Sequence, residues 1–261
     1  MLRKTRDLKG YRLAARDGEI GHIQDFYFDD EHWTVRYVVA DTGKWLFGRK
    51  VLLAPYALGA IDTPHPGALE VKLTKQQIEQ SPSIETHKPV SRQYEEQYYA
   101  YYGWPAYWTG PAIWGQMTYP DPFAPGIAGG PPPRIERKSG DAHLRSTSEV
   151  IGYHLQGLDR QFGHVDDFIL DEQDWVIRYL LADTQNWVDR KHVLLSPEWI
   201  ASVSWMESRV YIDFDADTVK RSPEYDPGQP IGRKYEEQLF AFYNRPPYWE
   251  RGAETARRRA A

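Results

Sequence analysis

Alternating apolar and polar residues in the first part of the chain predict a series of β-strands. The pattern favours strands at Tyr11–Ala15, Glu19–Asp29 and Trp33–Asp41. The pair Asp17-Gly18 lies between the first two strands and is typical of a tight hairpin turn, because glycine accepts positive φ. We therefore expect an antiparallel sheet that begins near residue 11.

The third predicted strand is apolar on both faces over its second half. Tyr37 and Val39 fall on the predicted core face, and Val38 and Ala40 fall on the opposite face, since side chains alternate along a strand. Another part of the protein should therefore cover the outside of the sheet there. Further predicted strands complete a small antiparallel barrel: Val51–Ala54, Ala57–Asp62 and Glu70–Leu73.

Two helical segments follow these strands. Thr74 and Gln77 have the spacing of a capping box, which predicts a short helix that begins at Thr74. A second helix is predicted from Arg92 to Tyr102, with tyrosines at the spacing of one helical face: Tyr94, Tyr98, Tyr101 and Tyr102. We call this helix, with the Pro-x-Tyr-Trp sequence that follows it, the aromatic arm.

The whole pattern occurs twice. Between Gly10 and Leu58, 20 of 49 residues are identical to those 142 positions later, which indicates that one unit was duplicated. A second aromatic helix is predicted from Arg233 to Tyr243, and its apolar face holds Tyr235, Leu239, Phe242 and Tyr243. The chain is therefore built from two equivalent repeats.

These patterns divide the chain into six segments: a barrel repeat at 1–80, an arm at 81–108, a Pro/Gly-rich linker at 109–144, a second barrel repeat at 145–221, a second arm at 222–249 and a basic tail at 250–261 that we expect to be disordered. A barrel of about 75 residues is marginally stable alone. We therefore expect the two barrels to pack together as an intramolecular pseudo-dimer. We also expect crosswise docking of the arms, each on the other repeat's barrel.

Composition limits the chemistry and the location. Hydrophobic residues make up 41% and charged residues 26% of the chain, as in soluble globular proteins. No run reaches the roughly 20 apolar residues that cross a bilayer, and the N-terminal residues lack a signal-peptide pattern, so we expect a cytoplasmic protein with no integral membrane segment. The chain has no cysteine, which excludes disulfides and thiolate ligands. A net charge of −5 makes nucleic acid an unfavourable partner.

Repeated charged residues in the strands have a structural interpretation. A hairpin turn centred after Asp30 would place Asp25 opposite Arg36, and the same register would pair Asp167 with Arg178. We therefore predict one cross-strand ion pair in each repeat.

Two histidines recur close to these aspartates. Residues three apart in a strand point to opposite faces, so we interpret His22 and His164 as solvent-facing residues rather than as metal ligands or general bases. The chain carries no nucleophile, phosphate-loop or metal-binding motif. We expect no enzymatic activity, no metal and no cofactor.

Two features are candidates for an interaction surface. Arg49 and Lys50 are placed to contact an anion or an RNA phosphate, and the aromatic faces of the arms are placed to stack on bases or to dock on a protein. Helical spacing favours burial of these faces, so both interpretations stay open. The candidate residues are Arg49, Lys50, Tyr94, Tyr98, Tyr101, Tyr102, Tyr235, Phe242 and Tyr243.

An ordered set of residues resembles the PRC-barrel family. The set is Ile20-Gly21-x-Ile23-x-Asp25, then Val35-Arg36-Tyr37-Val38-Val39-Ala40-Asp41, then Trp45-Leu46-x-Gly48-Arg49-Lys50-Val51-Leu52-Leu53-x-Pro55. That family includes the cytoplasmic domain of the photosynthetic reaction-centre H subunit and the C-terminal domain of a ribosome-maturation factor. The arms, with Tyr-Glu-Glu-Gln at Tyr94 and Tyr235, resemble an extension of bacterial tandem PRC-barrel proteins. The resemblance implies a small β-barrel used for docking and brings no catalytic motif.

The sequence therefore predicts a mainly β protein with two PRC-type barrels in tandem, each followed by a short helix and an aromatic arm. Its predicted role is a non-enzymatic binding or scaffolding module for a protein partner. One form of this prediction places the partner in a membrane-associated complex. An RNA- or ribosome-associated factor is the alternative, and a reaction-centre-like accessory of electron transfer is the third. The partner and the oligomeric state are left open.

Overall fold

The computed structural model describes residues 1–46, 49–82, 90–123, 143–184 and 191–250. As predicted, the protein is mainly β. The first repeat contains β1 (Leu2–Lys4), α1 (Thr5–Leu8), β2 (Arg12–Ala15), β3 (Gly18–Asp29), β4 (Thr34–Asp41), β5 (Val51–Leu53), β6 (Leu58–Ile61), β7 (Ala68–Val71), α2 (Lys75–Glu79) and α3 (Arg92–Tyr102). The second contains β8 (Leu144–Ser146), α4 (Thr147–Val150), β9 (His154–Gln156), β10 (Gln161–Asp171), β11 (Ile177–Asp183), β12 (His192–Leu195), β13 (Ile200–Ser204), β14 (Arg209–Ile212), α5 (Ala216–Arg221) and α6 (Arg233–Phe242).

The strands form two sheets of seven with the same topology. One sheet has the order β5-β4-β3-β2-β7-β6, with β8 added to β3. The other has the equivalent order β12-β11-β10-β9-β14-β13, with β1 added to β10. The pairs β2·β7 and β9·β14 are parallel, where the sequence pattern led us to expect antiparallel strands throughout.

Strands β1 and β8 were not predicted, and each extends the sheet of the other repeat. β1 precedes the first repeat and pairs with β10, whereas β8 precedes the second repeat and pairs with β3. Leu2 and Leu144 are equivalent positions 142 residues apart. The repeats therefore exchange their first strands.

The chain forms two compact units that do not coincide with the repeats. The first unit comprises residue 1, residues 3–151 and residues 167–178. The second comprises residue 2, residues 152–166 and the chain from residue 179 onward. The first unit thus contains the tip of the β10–β11 hairpin together with β8 and α4. Most of the linker, at 124–142, and the tail beyond residue 250 lie outside the described residues.

Both faces of β4 are covered, as the sequence predicted. Val38 and Ala40, on the face opposite to Val39, are 0% and 3% exposed. The buried run extends from Thr34 to Ala40, so β4 lies at the centre of the apolar core of the first repeat.

A β-bulge changes the predicted register of the β3–β4 hairpin. Phe28 pairs with Val35 and Tyr27 pairs with Tyr37, which leaves Arg36 as an extra residue on β4. Trp33 closes the turn with a left-handed φ of 51°, and its equivalent Trp175 has a φ of 61°. The predicted register, in which Asp25 faces Arg36, is therefore wrong.

Gly21 in β3 and Gly163 in β10, which are equivalent positions, allow two strands to come very close. A Cβ at Gly21 would lie 1.9 Å from the carbonyl oxygen of Asp41, and a Cβ at Gly163 would lie 2.2 Å from that of Asp183. Both glycines lie beside an irregularity in the strand register. A side chain at either position would force the strands apart.

Each aromatic arm packs on the sheet of its own repeat, so the predicted crosswise docking is wrong. Helix α3 begins after the N-cap Ser91 and ends at Gly103, which has a left-handed φ of 68°. The Tyr98 hydroxyl accepts from the backbone N–H of Ala54 at 3.1 Å and donates to the carbonyl of Leu52 at 2.9 Å. β5 is the edge strand of its sheet. Tyr98 therefore satisfies one backbone group of an edge strand, the carbonyl of Leu52, and one just after that strand, the N–H of Ala54.

The second arm repeats this arrangement with different residues. In α6, the ring of Phe240 lies 5.4 Å from Trp199 and 6.4 Å from Tyr179, which are both residues of the second repeat. Tyr243 lies 4.4 Å from Trp199. Burial of aromatic rings therefore fastens each arm to its own sheet.

Candidate functional site

The helix of each aromatic arm carries one buried glutamate, Glu95 in α3 and Glu236 in α6. Glu95 is 0% exposed and Glu236 is 3% exposed. Both are the first glutamate of the sequence Tyr-Glu-Glu-Gln. A buried carboxylate is costly unless donors surround it, so these two positions show where the arms are held most specifically.

Two tyrosine hydroxyls donate to each of these carboxylates. Tyr37 on β4 donates to Oε1 of Glu95 at 3.2 Å, and Tyr107, which follows the helix, donates to the same atom at 2.9 Å. In the second repeat, Tyr179 and Tyr248 donate to Oε1 of Glu236 at 2.8 and 3.0 Å. Each glutamate thus joins three parts of its repeat: the central strand, the arm helix and the segment after the helix.

An arginine one helical turn earlier completes each cluster. Arg92 lies 3.0 Å from Oε2 of Glu95 and stacks over the ring of Trp108, 4.2 Å from its centre. Arg233 lies 3.3 Å from Oε2 of Glu236 and stacks over Trp249 at 3.8 Å. The repeated Pro-x-Tyr-Trp sequence therefore supplies a hydroxyl for the glutamate and a ring for the arginine.

The first cluster also contains a histidine. Nε2 of His143 lies 2.9 Å from Oε2 of Glu95 and 3.2 Å from the hydroxyl of Tyr107. The residue at the equivalent position in front of the first repeat is Met1. His143 directly precedes β8, so the residue that leads into this exchanged strand also contacts the first arm.

The electrostatics of the first cluster favour a structural role over proton transfer. Burial, reinforced by the negative charge of Glu95, holds the pKa of Tyr37 and of Tyr107 well above the usual range. Both phenols therefore stay neutral and act as hydrogen-bond donors. The arrangement can hold the arm in place, and it offers no phenolate base near neutral pH.

The predicted ion pair between Asp25 and Arg36 is wrong. The bulge at Arg36 directs its guanidinium to Asp29, with Nε 2.6 Å from Oδ2, and Asp25 pairs with Val39 instead. Arg36 also donates to the carbonyl of Ile113 at 2.7 Å. Burial alone would raise the pKa of Asp29, but the charge of Arg36 and hydrogen bonds from His32 lower it to about 2.

The predicted ion pair between Asp167 and Arg178 is also wrong. Arg178 contacts Asp174 and, at 3.4 Å, Asp171, which is equivalent to Asp29. Asp167 instead accepts from the Thr5 hydroxyl at 2.5 Å. These charges do recur, but in the first repeat the bulge at Arg36 gives both charged residues other partners.

Arg49 and Lys50 have structural partners. Arg49 donates to carbonyl oxygens at the C-terminal end of α2, including that of Glu79 at 2.5 Å, and to the side chain of Ser81 at 3.0 Å. Lys50 donates to the hydroxyl of Tyr27 at 3.0 Å. Both side chains would have to leave these contacts to bind a phosphate.

The predicted aromatic surface is largely used inside each repeat. Tyr98 and Tyr243 are buried, while Tyr94, Tyr102 and Tyr235 are half-buried. Tyr94 and Tyr235 donate to equivalent backbone carbonyls, of Pro82 and Pro223, each at 3.2 Å. Two equivalent residues remain open to solvent, Tyr101 at 40% exposure and Phe242 at 38%.

The two recurring histidines do not form a site with the aspartates. His22 is exposed and pairs with Asp41 across the strands, and His164 is half-buried and pairs with His154. Among the residues that the structure describes, no group of three or more histidine and carboxylate side chains is placed to hold a metal ion.

Sequence reasoning missed the buried glutamates, although a signal for them was present. The sequences Tyr-Glu-Glu-Gln and Pro-x-Tyr-Trp recur together with Arg36-Tyr37, and a repeated charge next to a repeated aromatic face indicates a buried polar contact. Tyr99 and Phe240 were also missed, because the predicted helical face was set about one residue too early along the helix. In the described ranges, no helix is long and apolar enough to cross a membrane.

Comparison with known families agrees with this architecture. No curated protein sequence matches the chain at a significant level. A family model for the PRC-barrel domain matches residues 3–80, which span β1 to α2. The second repeat has the same strand order as the first. The predicted resemblance is thus confirmed for the first repeat, which is a PRC-barrel domain.

Proposed function

We propose that this protein is a non-enzymatic docking module that binds a protein partner through the outer faces of its two aromatic arms. The observation that supports the proposal most directly is the pair Tyr101 and Phe242, large aromatic residues exposed at equivalent positions of α3 and α6. Aromatic residues are enriched among the anchors of protein interfaces.

The exposed rings are also held in fixed positions. Tyr101 packs edge-on against Tyr102, with ring centres 4.7 Å apart, and Phe242 packs edge-on against Tyr243 at 4.9 Å. Tyr101 additionally donates to the carbonyl of Gln77 at 2.9 Å. A ring that is already ordered loses little conformational entropy on binding, which favours its use as an anchor.

The internal contacts of the other candidates support this choice over an RNA-associated factor. Arg49 and Lys50 bond to α2, Ser81 and Tyr27, so the basic pair is not presented as a free phosphate contact. Of the arm tyrosines that would stack on bases, two are buried, Tyr98 and Tyr243, and three are half-buried, Tyr94, Tyr102 and Tyr235. The net charge of −5 also disfavours nucleic acid.

The proposal that the protein is not an enzyme is supported by the use of its repeated ionisable groups. Glu95 and Glu236 are buried and surrounded by hydrogen-bond donors, and Asp25 and Asp167 bind the exchanged segments. A docking role needs only the fixed surface that such contacts produce. We further propose a cytoplasmic location, to be tested by cell fractionation.

The experiment compares partner recovery by matched surface variants of the full chain. A photo-crosslinking amino acid at position 101 or 242 identifies the bound protein, and binding of that purified partner is then measured directly. We expect Tyr101→Ser with Phe242→Ser to weaken binding at least tenfold. The control, Leu158→Ser with Met206→Ser, removes apolar residues that are 70% and 97% exposed elsewhere and should bind like the unmodified chain.

Two outcomes would contradict the proposal. Equal loss of binding in the control pair would show that general surface hydrophobicity, not the arms, is responsible. Recovery of RNA in place of a protein, lost at high salt and lost in Arg49→Ala with Lys50→Ala, would support the RNA-associated alternative.

A further inference from the structure

The edge of β3 holds an extended segment as a bound peptide would be held. Residues 143–146 lie along this edge, with Ser146 opposite Tyr27, Arg145 opposite Phe28 and Leu144 opposite Asp29. The backbone N–H of Asp30 continues the pairing, donating to the carbonyl of His143 at 3.1 Å. Addition of an extended segment to a sheet edge is a common mode of peptide recognition.

Two aspartates bind the side chains of this segment. Asp25 accepts from the hydroxyls of Ser146 at 2.5 Å and of Thr147 at 2.8 Å, and from the backbone N–H of Ser148 at 3.2 Å. Asp30 accepts from Nε of Arg145 at 3.0 Å. The contacts therefore select an arginine followed two positions later by a threonine.

The same recognition occurs on the equivalent strand, within the first compact unit. Thr5 donates to Asp167 at 2.5 Å, and Arg3 donates to Glu172 at 2.7 Å. Asp167 and Glu172 are equivalent to Asp25 and Asp30, and the bound sequences are Leu2-Arg3-Lys4-Thr5 and Leu144-Arg145-Ser146-Thr147. The shared ligand is thus Leu-Arg-x-Thr.

We propose that the edge of β3, with Asp25 and Asp30, is a binding site for Leu-Arg-x-Thr segments, and that residues 143–151 of a second copy of this chain can occupy it. The source of the ligand supports this choice of partner, because every copy of the chain contains it. Exchange of an identical element between copies is a low-cost route to a dimer. This inference goes beyond the proposed docking function and does not depend on it.

The length of the chain that precedes the segment permits exchange. Nineteen residues separate Phe123 from His143. A stretch of that length can reach roughly 60–70 Å when extended, far enough for a segment to bind its own copy or a neighbour. Binding within one copy has the advantage of a high effective concentration, so the exchanged dimer should form when concentrated chains refold together.

The absence of cysteine from the chain allows a direct test. Tyr27 and Ser146 lie opposite each other across the strands, at a spacing that a disulfide can bridge. Full-length chains carrying Tyr27→Cys and chains carrying Ser146→Cys are mixed, unfolded, refolded together at high concentration and oxidised. We expect a mixed disulfide dimer of twice the 30.4 kDa chain mass, enriched at least fivefold over either like-with-like dimer.

Two controls separate recognition from random collision. Adding Arg145→Ala and Thr147→Val to the Ser146→Cys chain should reduce the mixed dimer at least fivefold. Replacing the Tyr27→Cys chain by a Glu19→Cys chain, with an exposed cysteine at the far end of β3, should give only the background amount of mixed dimer. Mixed and like-with-like dimers in equal yield, or mixed dimer unaffected by the recognition variants, would overturn the proposal.

A second measurement avoids any need for the cysteine variants to refold. A labelled peptide of residues 143–151 is added to the full chain carrying Thr147→Val, whose own segment is weakened in the site. We expect this chain to bind the peptide at least tenfold more tightly than it binds a peptide with Arg145→Ala and Thr147→Val. Equal affinity for the two peptides, or no binding of either, would also overturn the proposal.

Discussion

The hydroxyl of Tyr107 donates to Oε1 of Glu95 at 2.9 Å, and Tyr248 repeats this bond to Glu236 at 3.0 Å. In both repeats the donor lies twelve positions after its acceptor and beyond the end of the arm helix. Each bond therefore folds the end of an arm back onto its helix, while a strand tyrosine fixes the same carboxylate to the sheet. This relationship explains why the sequences Tyr-Glu-Glu-Gln and Pro-x-Tyr-Trp recur together.

Replacing the buried glutamates should destabilise the protein far more than replacing their exposed neighbours. Glu95→Gln removes the charge that faces Arg92 and His143, so we expect a loss of about 2–4 kcal/mol. Glu236→Gln should cost less, because Arg233 is 51% exposed. Denaturant unfolding measures both. Glu237→Gln, at an exposed position of the same helix, should change stability by less than about 0.5 kcal/mol, and a similar loss in all three variants would refute the argument.

Tyr98→Phe should weaken the attachment of the first arm. The change removes a hydroxyl that bonds two backbone groups, those of Leu52 and Ala54, and leaves both without this partner. A buried group left unpaired costs about 1–3 kcal/mol, which denaturant unfolding can detect. The matched control is Tyr101→Phe, because Tyr101 is 40% exposed and water can replace its bond to Gln77. Equal stability of the two variants would show that Tyr98 holds the arm by ring packing alone.

Local sequence signals predicted the elements well where short-range chemistry determines them. The Thr74–Gln77 capping box is present, and α3 has the predicted bounds, because a serine cap and a terminal glycine define the helix within one segment. The partner of Arg36 could not be predicted in the same way. A single extra residue in β4 determines this partner, and no residue type in the sequence predicts that bulge.

The exchanged strands could not be predicted from the sequence for a different reason. β1 and β8 are three residues long and have no periodicity of their own. Their position depends on Asp25 and Asp167, which lie far away in the sequence. The recurrence of these aspartates was visible, but strand register alone suggested arginine as the partner. A contact between distant segments leaves no local pattern, so only the structure identifies the hydroxyls of Thr147 and Thr5.

The buried pair of Asp29 and Arg36 should make the protein sensitive to acid. The pKa of Asp29 is about 2 in the folded protein, below the ordinary value of 3.8, so the folded state binds its proton less readily than the unfolded state. The resulting stability is present above pH 3.8 and is lost as the pH falls toward 2. A difference of this size corresponds to on the order of 2 kcal/mol.

Unfolding measured between pH 5 and pH 2 tests this expectation. Asp29→Asn should be less stable at pH 5, because Arg36 loses its buried partner. It should then lose about 2 kcal/mol less than the unmodified protein on acidification. Glu19→Gln, at an exposed position of the same strand, should follow the unmodified protein. Parallel pH profiles for Asp29→Asn and the unmodified protein would show that other carboxyls cause the acid sensitivity.

Three glycine substitutions should separate the effect of a close backbone approach from that of an unusual φ. Gly21 combines a φ of 126° with a Cβ position 1.9 Å from the Asp41 carbonyl oxygen. At Gly163, a Cβ would lie 2.2 Å from the Asp183 carbonyl oxygen, and φ is not positive. Gly43 has a φ of 55° and nothing within 4 Å of a Cβ. Gly21 thus combines the two effects, Gly163 shows the close approach alone, and Gly43 shows the unusual φ alone.

We expect the loss of stability to follow the order Gly21→Ala, then Gly163→Ala, then Gly43→Ala. A left-handed φ costs an alanine about 1–2 kcal/mol, which sets the expected loss at Gly43. At Gly163 the strands must separate, and the disturbed backbone pairing should raise the cost to about 2–4 kcal/mol. Gly21→Ala carries both penalties and should exceed either single one in denaturant unfolding. If Gly163→Ala costs no more than Gly43→Ala, the strands can separate there without loss, and the recurrence of glycine must have another cause.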